Sequence, residues 1–220
     1  MPDTILIIGN QNYSSWSFRA WLALKLTGLP FEQKKVYLRK SDTSSQLTVL
    51  SPSGKVPLLH HNGHVIWDSL AIGLFLADHF PNLLPQDIAS RATALSIICE
   101  MHSGFQAMRS TITMDMKSRN KPYNNTDALQ NDIQRIQDIW TQCRSEYHGG
   151  GAFLFGEYSL ADVFFAPVVS RFVTYAIPIS DVCQSYMESM CSHSFYQEWL
   201  SHAEQESETI DWTHPLPEIK

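Results

Sequence analysis

Three consecutive hydroxyl side chains, Tyr13, Ser14 and Ser15, precede a stretch whose apolar residues recur at helical spacing. The first N–H groups of a helix have no partner within the helix, and together with the helix dipole they favour an anion. A hydroxyl group that donates a hydrogen bond to an anion stabilises the charged form further. The spacing therefore predicts a site for a bound anion, with simple helix capping by Ser14 and Ser15 as the alternative.

A second pair of polar residues, Asp68 and Ser69, opens another helical stretch. At such an N-terminus Ser69 can donate its hydroxyl to a carboxylate, and Asp68 can hold an ammonium group. A ligand that carries both groups at one end fits this pair. An N-cap without a ligand is the alternative, because Asp and Ser are common caps.

Val56-Pro57 leads into a predicted strand. A cis peptide bond before proline costs only about 0.5–1 kcal/mol, so the dipeptide alone leaves a cis bond and an ordinary trans turn both open. His60, His61 and His64 follow, but they straddle a predicted hairpin turn and lack a fourth ligand. We therefore expect no metal site there.

These residues fall within a segment in which strand and helix patterns alternate. The predicted order is a strand at 4–8, a helix at 15–27 that ends at Gly28, a strand at 31–38, a helix at 41–50, a hairpin that turns at Asn62-Gly63, and a helix that ends near Phe80. A strand-helix-strand unit followed by a hairpin and a helix is a thioredoxin-like arrangement with a mixed sheet.

After this segment the sequence shows helix patterns and no strand pattern. One amphipathic helix is predicted to include 98–112, a second 129–140, a buried central helix 163–173, and a last helix the region around Tyr196 and Trp199. Ser159 and Asp162 have the spacing of a capping box ahead of the central helix. The tail from Thr209 is predicted as coil.

We therefore predict an α/β thioredoxin-like N-terminal domain at 1–81, a linker at 82–88 and an all-α C-terminal domain at 89–220. The linker contains Pro85 and no periodicity.

The composition narrows the class of protein. The net charge of -6 is uneven, with +2 over residues 1–81 and -8 over the remainder, and this acidity argues against nucleic acid as a partner. No apolar run reaches the roughly 18 residues of a membrane span, and the N-terminus lacks the basic region of a signal peptide. These features predict a cytoplasmic protein without a membrane partner. The spacings of the four cysteines suit neither a disulfide framework nor a zinc site.

Three segments, taken together and in order, carry a resemblance to a known family. They are SSWSFR at 14–19, SPSGKVPLL at 51–59 followed by DSLAI at 68–72, and FLFGEYSLAD at 153–162. Over nearly its whole length the chain resembles the soluble glutathione transferases. The first segment is similar to that of the zeta class, one of the serine-type classes. The resemblance implies the glutathione transferase fold, which agrees with the two predicted domains.

The resemblance also implies a binding site for glutathione as co-substrate, with no metal. Val56, before a cis proline, would pair with the peptide backbone of glutathione as an added strand does. Asp68 and Ser69 would hold the γ-glutamyl end, and Lys40 would reach the glycine carboxylate.

Ser14 is the residue that the resemblance places at the thiol. A free thiol has a pKa of about 8.5, and a hydroxyl donor at a helix N-terminus lowers that value. Ser14 would be this donor and not the nucleophile. Ser15 and, after it, Tyr13 are the alternatives.

The family builds its second-substrate pocket from a helix of the second domain, which makes His102, Phe105, Met108 and Arg109 the candidates here.

The sequence departs from the zeta class at two positions. Trp16 occupies the usual cysteine position, which disfavours cysteine-type thiol exchange. Thr174 occupies the position of the arginine used by zeta-class isomerases, with Arg171 one turn earlier, which argues against maleylacetoacetate isomerisation.

The predicted function is therefore a glutathione transferase that conjugates the glutathione thiolate to small electrophiles. The predicted assembly is a homodimer, because the family pairs the first domain of one subunit with the helical domain of the other. The charges of +2 and -8 suit that pairing. The alternatives are a glutathione-dependent peroxidase that uses the same thiol, and a non-catalytic binding protein with this fold.

Overall fold

The structure is a computed structural model that describes residues 3–147 and 149–210. Most of the tail predicted as coil from Thr209 lies outside these residues.

The N-terminal part contains a four-stranded mixed sheet with helices packed on it. The strands are β1 (Thr4–Ile8), β2 (Glu32–Lys35), β3 (Leu58–His61) and β4 (His64–Ile66), and the helices are α1 (Ser15–Thr27), α2 (Thr43–Leu50) and α3 (Ser69–His79). The sheet order is β2-β1-β3-β4, with β1 and β2 parallel and the other pairs antiparallel. The thioredoxin-like arrangement is confirmed. β2 is shorter than the predicted 31–38, and it is a polar strand at the edge of the sheet.

The β3–β4 hairpin has the predicted turn. Asn62 has φ 48° and Gly63 has φ 81°, so both central residues are left-handed, as a two-residue hairpin turn requires. The turn pairs His61 with His64 and sets the register of β4. β4 leads directly to Asp68 and α3, so the hairpin determines where that helix begins.

Helices dominate the remainder of the described chain. They are a short 3-10 helix (Pro81–Leu83), α4 (Ile88–Ser103), α5 (Gln106–Thr111), α6 (Asp127–Glu146), α7 (Leu160–Tyr175), α8 (Asp181–Ser192) and α9 (Ser194–Gln205). The 3-10 helix lies at the start of the predicted linker. α8 is absent from the sequence prediction, although Cys183, Tyr186 and Met190 recur at helical spacing and are buried. Within the described residues no helix is both long and apolar enough to cross a membrane.

The prediction of one helix across 98–112 is wrong. Phe105 has φ 62°, and α4 ends at Ser103 before α5 begins at Gln106. A Cβ on Gly104 would lie 2.8 Å from the Glu100 carbonyl oxygen, so the break needs glycine there. The apolar spacing continues across the break because both helices pack on the same core. Periodicity alone therefore hid the break.

α7 is the central helix and is buried nearly all round, as predicted. It packs against α1 and α4, and its capping box with Ser159 and Asp162 is present. The Asp162 carboxylate accepts from the N–H groups of Leu154 at 3.1 Å and Ser159 at 2.9 Å, and from the Tyr186 hydroxyl at 3.1 Å. Burial raises the pKa of Asp162 to about 6, while these donors act in the opposite direction. This carboxylate ties three segments together at the start of α7.

Candidate functional site

Ser14 caps α1 in this structure. Its Oγ accepts from the Ser17 N–H at 3.3 Å and donates to Ser17 Oγ at 2.8 Å. Ser17 Oγ in turn accepts from the Gly9 N–H at 2.9 Å. The hydroxyl proton of Ser14 is therefore directed to Ser17, so Ser14 would have to turn in order to donate to a ligand.

Ser15 is buried beside Ser14, but its hydroxyl has a different environment. Its Oγ accepts from Nη2 of Arg171 at 3.4 Å. Among the described residues it makes no other hydrogen bond, so its proton is available to a ligand. Tyr13, the third hydroxyl, is only partly buried, and its backbone N–H donates to the Asn10 carbonyl at 3.2 Å.

The loop ahead of α1 is held by the C-terminal end of the described chain. The buried Glu206 carboxylate accepts from the N–H groups of Gln11 and Asn12, each at 3.1 Å, and pairs with Lys35 at 2.9 Å. Nε1 of Trp199 donates to the Gln11 carbonyl at 2.9 Å. A carboxylate on two successive N–H groups fixes the backbone that leads to Ser14.

Asn12 makes a second attachment of the same loop to the helical part. Its Nδ2 donates to Asp115 Oδ1 at 3.0 Å, and its Oδ1 accepts from the Lys117 N–H at 3.0 Å. Asp115 also pairs with Lys121 at 3.0 Å. Asn12, Asp115 and Glu206 are not predictable from the sequence, because nothing near each residue along the chain indicates its distant partner.

At the second predicted site, Asp68 caps α3 by accepting from the Leu70 N–H at 2.9 Å. Its other oxygen lies 3.1 Å from Nε2 of His102. Burial lowers the pKa of His102, although the Asp68 carboxylate acts in the opposite direction. Ser69 is 1% exposed, and its Oγ has no hydrogen-bond partner among the described residues. A buried hydroxyl without a partner is costly, so this atom is suited to receive a ligand.

The Val56-Pro57 bond is cis, as the resemblance implied. The Val56 side chain packs against Gly9, the residue that directly follows β1. A Cβ added to Gly9 would lie 3.2 Å from Val56 Cγ2. The Trp67–Asp68 bond is also cis, which the sequence did not indicate. Lys40 is exposed and forms an ion pair with Glu208 near the C-terminal end of the described chain.

Two of the four predicted pocket residues meet around the Trp16 ring. The Arg109 guanidinium lies 4.8 Å from the centroid of that ring, and the His102 ring lies 5.2 Å from it. Phe105 is 7% exposed and Met108 is fully buried in the core. These two can therefore shape a pocket only from beneath its surface.

Arg19 occupies the interior beside the same ring, 4.9 Å from its centroid. Its Nε donates to the Phe164 carbonyl at 2.9 Å, while Nη1 and Nη2 have no partner among the described residues. Burial lowers the pKa of Arg19 well below its usual value. Arg19 belongs to the SSWSFR segment, but nothing in that segment indicated that Arg109 and Arg171 gather near it.

The histidines of the hairpin do not form a metal site in this structure. The ring of His61 forms a hydrogen bond with Thr4 Oγ1 at 2.8 Å, and the described residues contain no group of three or more His, Cys, Asp and Glu arranged to hold a metal ion. Thr174 is buried and donates to the carbonyls of Asp115 and Ser170, each at 2.8 Å. Arg171, and not Thr174, therefore faces the start of α1.

Comparison with known sequences gives consistent matches. The family model described as "Glutathione S-transferase, N-terminal domain" matches residues 13–79. Glutathione S-transferase 1 of Dianthus caryophyllus is 31% identical over 169 residues, which cover 73% of this chain and 74% of that protein. Glutathione S-transferase Z2 of Arabidopsis thaliana is 32% identical over 164 residues, or 71% of each. A probable maleylacetoacetate isomerase of Caenorhabditis elegans is 34% identical over 108 residues, covering 48% of this chain and 50% of that protein.

Solved structures share the fold at lower identity. A glutathione transferase homolog from Burkholderia GL BGR1, solved with bound glutathione, has a TM-score of 0.68 at 22% identity and covers 94% of this chain and 100% of that one. A theta class glutathione S-transferase from Xanthomonas axonopodis pv. citri, also with glutathione bound, has a TM-score of 0.67 at 18% identity, with coverage of 91% and 98%.

Proposed function

Because this chain belongs to the glutathione S-transferase family, we propose that it attacks small electrophiles with the thiolate of bound glutathione. The observation that carries the proposal is the buried, unpartnered hydroxyl of Ser69 at the N-terminus of α3. That hydroxyl, at a helix N-terminus where the dipole favours an anion, suits a carboxylate.

The γ-glutamyl end of glutathione is proposed to lie at this terminus. Ser69 donates to its carboxylate, and the half-exposed Asp68 carboxylate accepts from its ammonium group. The backbone of Val56, before the cis bond, pairs with the peptide of glutathione. Lys40 releases Glu208, its partner in this structure, and binds the glycine carboxylate of glutathione instead.

The thiol is proposed to lie at the N-terminus of α1. The helix dipole favours the thiolate there, and Ser14 donates a hydrogen bond to the sulfur after turning from Ser17. The thiol proton leaves to water, and the thiolate then attacks the electrophile. The electrophile binds against Trp16, His102 and Arg109, with Phe105 and Met108 packed below.

Replacing Ser69 with alanine is expected to weaken glutathione binding by about 1.5–3 kcal/mol, the range for a hydrogen bond to a charged group. Without glutathione the variant should be as stable as the wild type or more so, since it loses a buried hydroxyl that has no partner. Titration calorimetry and thermal unfolding measure the two effects. Ser180→Ala is the control, because Ser180 stands at the start of another helix, α8, where its exposed side chain makes no cap bond. Unchanged affinity in Ser69→Ala would remove the basis for the proposal.

We also propose a homodimer. Val65, Trp67 and Leu74 expose apolar side chains on β4, the turn after it and α3, and the uneven charge of the two parts suits a paired arrangement. Sedimentation at micromolar concentration should give twice the mass of one chain, and Leu74→Glu should shift it toward the monomer. A wild-type protein that sediments as a monomer contradicts this proposal. The cytoplasmic location stays a prediction.

A further inference from the structure

Arg171 is a buried cation on the apolar central helix α7. Its Nη1 donates to the Pro167 carbonyl at 3.0 Å, and its Nη2 donates to Ser15 Oγ at 3.4 Å. Its Nε has no partner among the described residues. The Pro167 carbonyl also accepts from Ser170 Oγ at 3.0 Å, so this carbonyl does not depend on the guanidinium. Maintaining the helix is therefore not a sufficient reason for an arginine at this position.

The groups around Arg171 do not neutralise it. Burial is the main cause that lowers the pKa of Arg171, Arg109 on α5 lowers it further, and Tyr175 on α7 acts in the opposite direction. Arg19 on α1 is close enough to interact with both Arg109 and Arg171. None of the three arginines forms an ion pair with a described residue. The Asp68 carboxylate, which pairs with His102, partly offsets Arg19, and the Asp132 carboxylate partly offsets Arg109. No carboxylate of the described chain offsets Arg171 in the same way, so its charge creates a positive field at the start of α1.

Ser15 is the side chain that can link the charge of Arg171 to a ligand by hydrogen bonds. Its Oγ accepts from Arg171, and its own proton is not used within the described chain. A hydroxyl that accepts a hydrogen bond from a cation becomes a better donor, because the two bonds polarise each other. Ser15 also stands at the first position of α1, where the helix dipole favours an anion.

We propose that Arg171 is a positioning residue for thiolate formation: it orients and polarises the Ser15 hydroxyl, which donates to the glutathione sulfur beside Ser14. This inference rests on the proposed transferase function and adds a second donor to it. Burial lowers the pKa of Arg171 to about 9, which still leaves the guanidinium charged at neutral pH. Arg171 takes no proton from the thiol, because that proton leaves to water.

The test is the thiolate absorbance of the glutathione complex as a function of pH. Arg171→Met should raise the pKa of the bound thiol by about one unit, the lower end of the effect of a nearby opposite charge. Arg171→Lys, which keeps the charge, should show a smaller shift. In the Ser15→Ala background, Arg171→Met should add little, because the two residues act as one unit. Arg144→Met is the control: Arg144 donates to the carbonyls of Gly151 and Phe153, and its loss should leave the thiol pKa unchanged.

The outcomes separate this inference from the function on which it rests. If the wild type shows no lowering of the thiol pKa, the proposed function fails. If the wild type lowers it and Arg171→Met leaves it unchanged, the inference is overturned. If Arg171→Met raises the thiol pKa by the same amount in the wild-type and Ser15→Ala backgrounds, the inference is also overturned, because Arg171 would then act without Ser15. Should Arg171→Met fail to fold, Ser15→Ala still decides, since an unchanged thiol pKa in that variant contradicts the proposal.

Discussion

Replacing Ser14 with alanine is expected to raise the pKa of the glutathione thiol in the complex by roughly one to two units, each worth about 1.36 kcal/mol. Conjugation at neutral pH should then fall roughly 10- to 100-fold, because only the thiolate attacks. Much of the rate should return at high pH, where hydroxide ionises the thiol without help. Thiolate absorbance and the conjugation rate, each measured against pH, test both parts of this expectation.

Ser14 also caps α1, so its loss has a second effect that needs its own control. Replacing a cap by alanine costs about 1 kcal/mol of stability. Thr126→Ala removes a similar cap, since Thr126 Oγ1 accepts from the Leu129 N–H at 3.2 Å at the start of α6. That variant should lose stability and keep the wild-type thiol pKa.

Parallel variants identify the donating hydroxyl. Ser15→Ala should also raise the thiol pKa, by about one unit, since Ser15 accepts from Arg171 and keeps its proton available. Tyr13→Phe should do less. If Ser14→Ala titrates like the wild type while Ser15→Ala shifts upward, Ser14 is only the cap and Ser15 is the donor.

Replacing Asp162 with alanine is expected to lower the free energy of unfolding by about 3 kcal/mol or more. The donors of Leu154, Ser159 and Tyr186 would lose their buried acceptor, and each unsatisfied donor costs about 1–3 kcal/mol. Denaturant unfolding followed by circular dichroism measures the loss. Asp127→Ala is the control, because Asp127 lies in the first turn of α6 at the surface. A loss as small in Asp162→Ala as in the control would show that the capping box contributes little.

The sequence predicted local features well. The individual strands, the hairpin and the starts of α1 and α3 all follow from residues close together along the chain, such as Asn62-Gly63 and the caps at Ser14 and Asp68. The break between α4 and α5 was missed because Met101 and Met108 keep an apolar spacing on both sides of it. Periodicity reports which face is buried, and two helices that pack on one core can present the same face.

By itself the sequence determined two helix N-termini suited to anions, a hairpin that places one of them, and the family to which the residues belong. The tertiary structure decided which side chains complete the site. Arg171 reaches Ser15 across 156 residues of sequence, and Glu206 reaches the Gln11 N–H across 195. A helix cap or a tight turn depends on backbone within a few residues, so its signal is local. A buried charge is placed by which segments pack together, and that packing has no local signature.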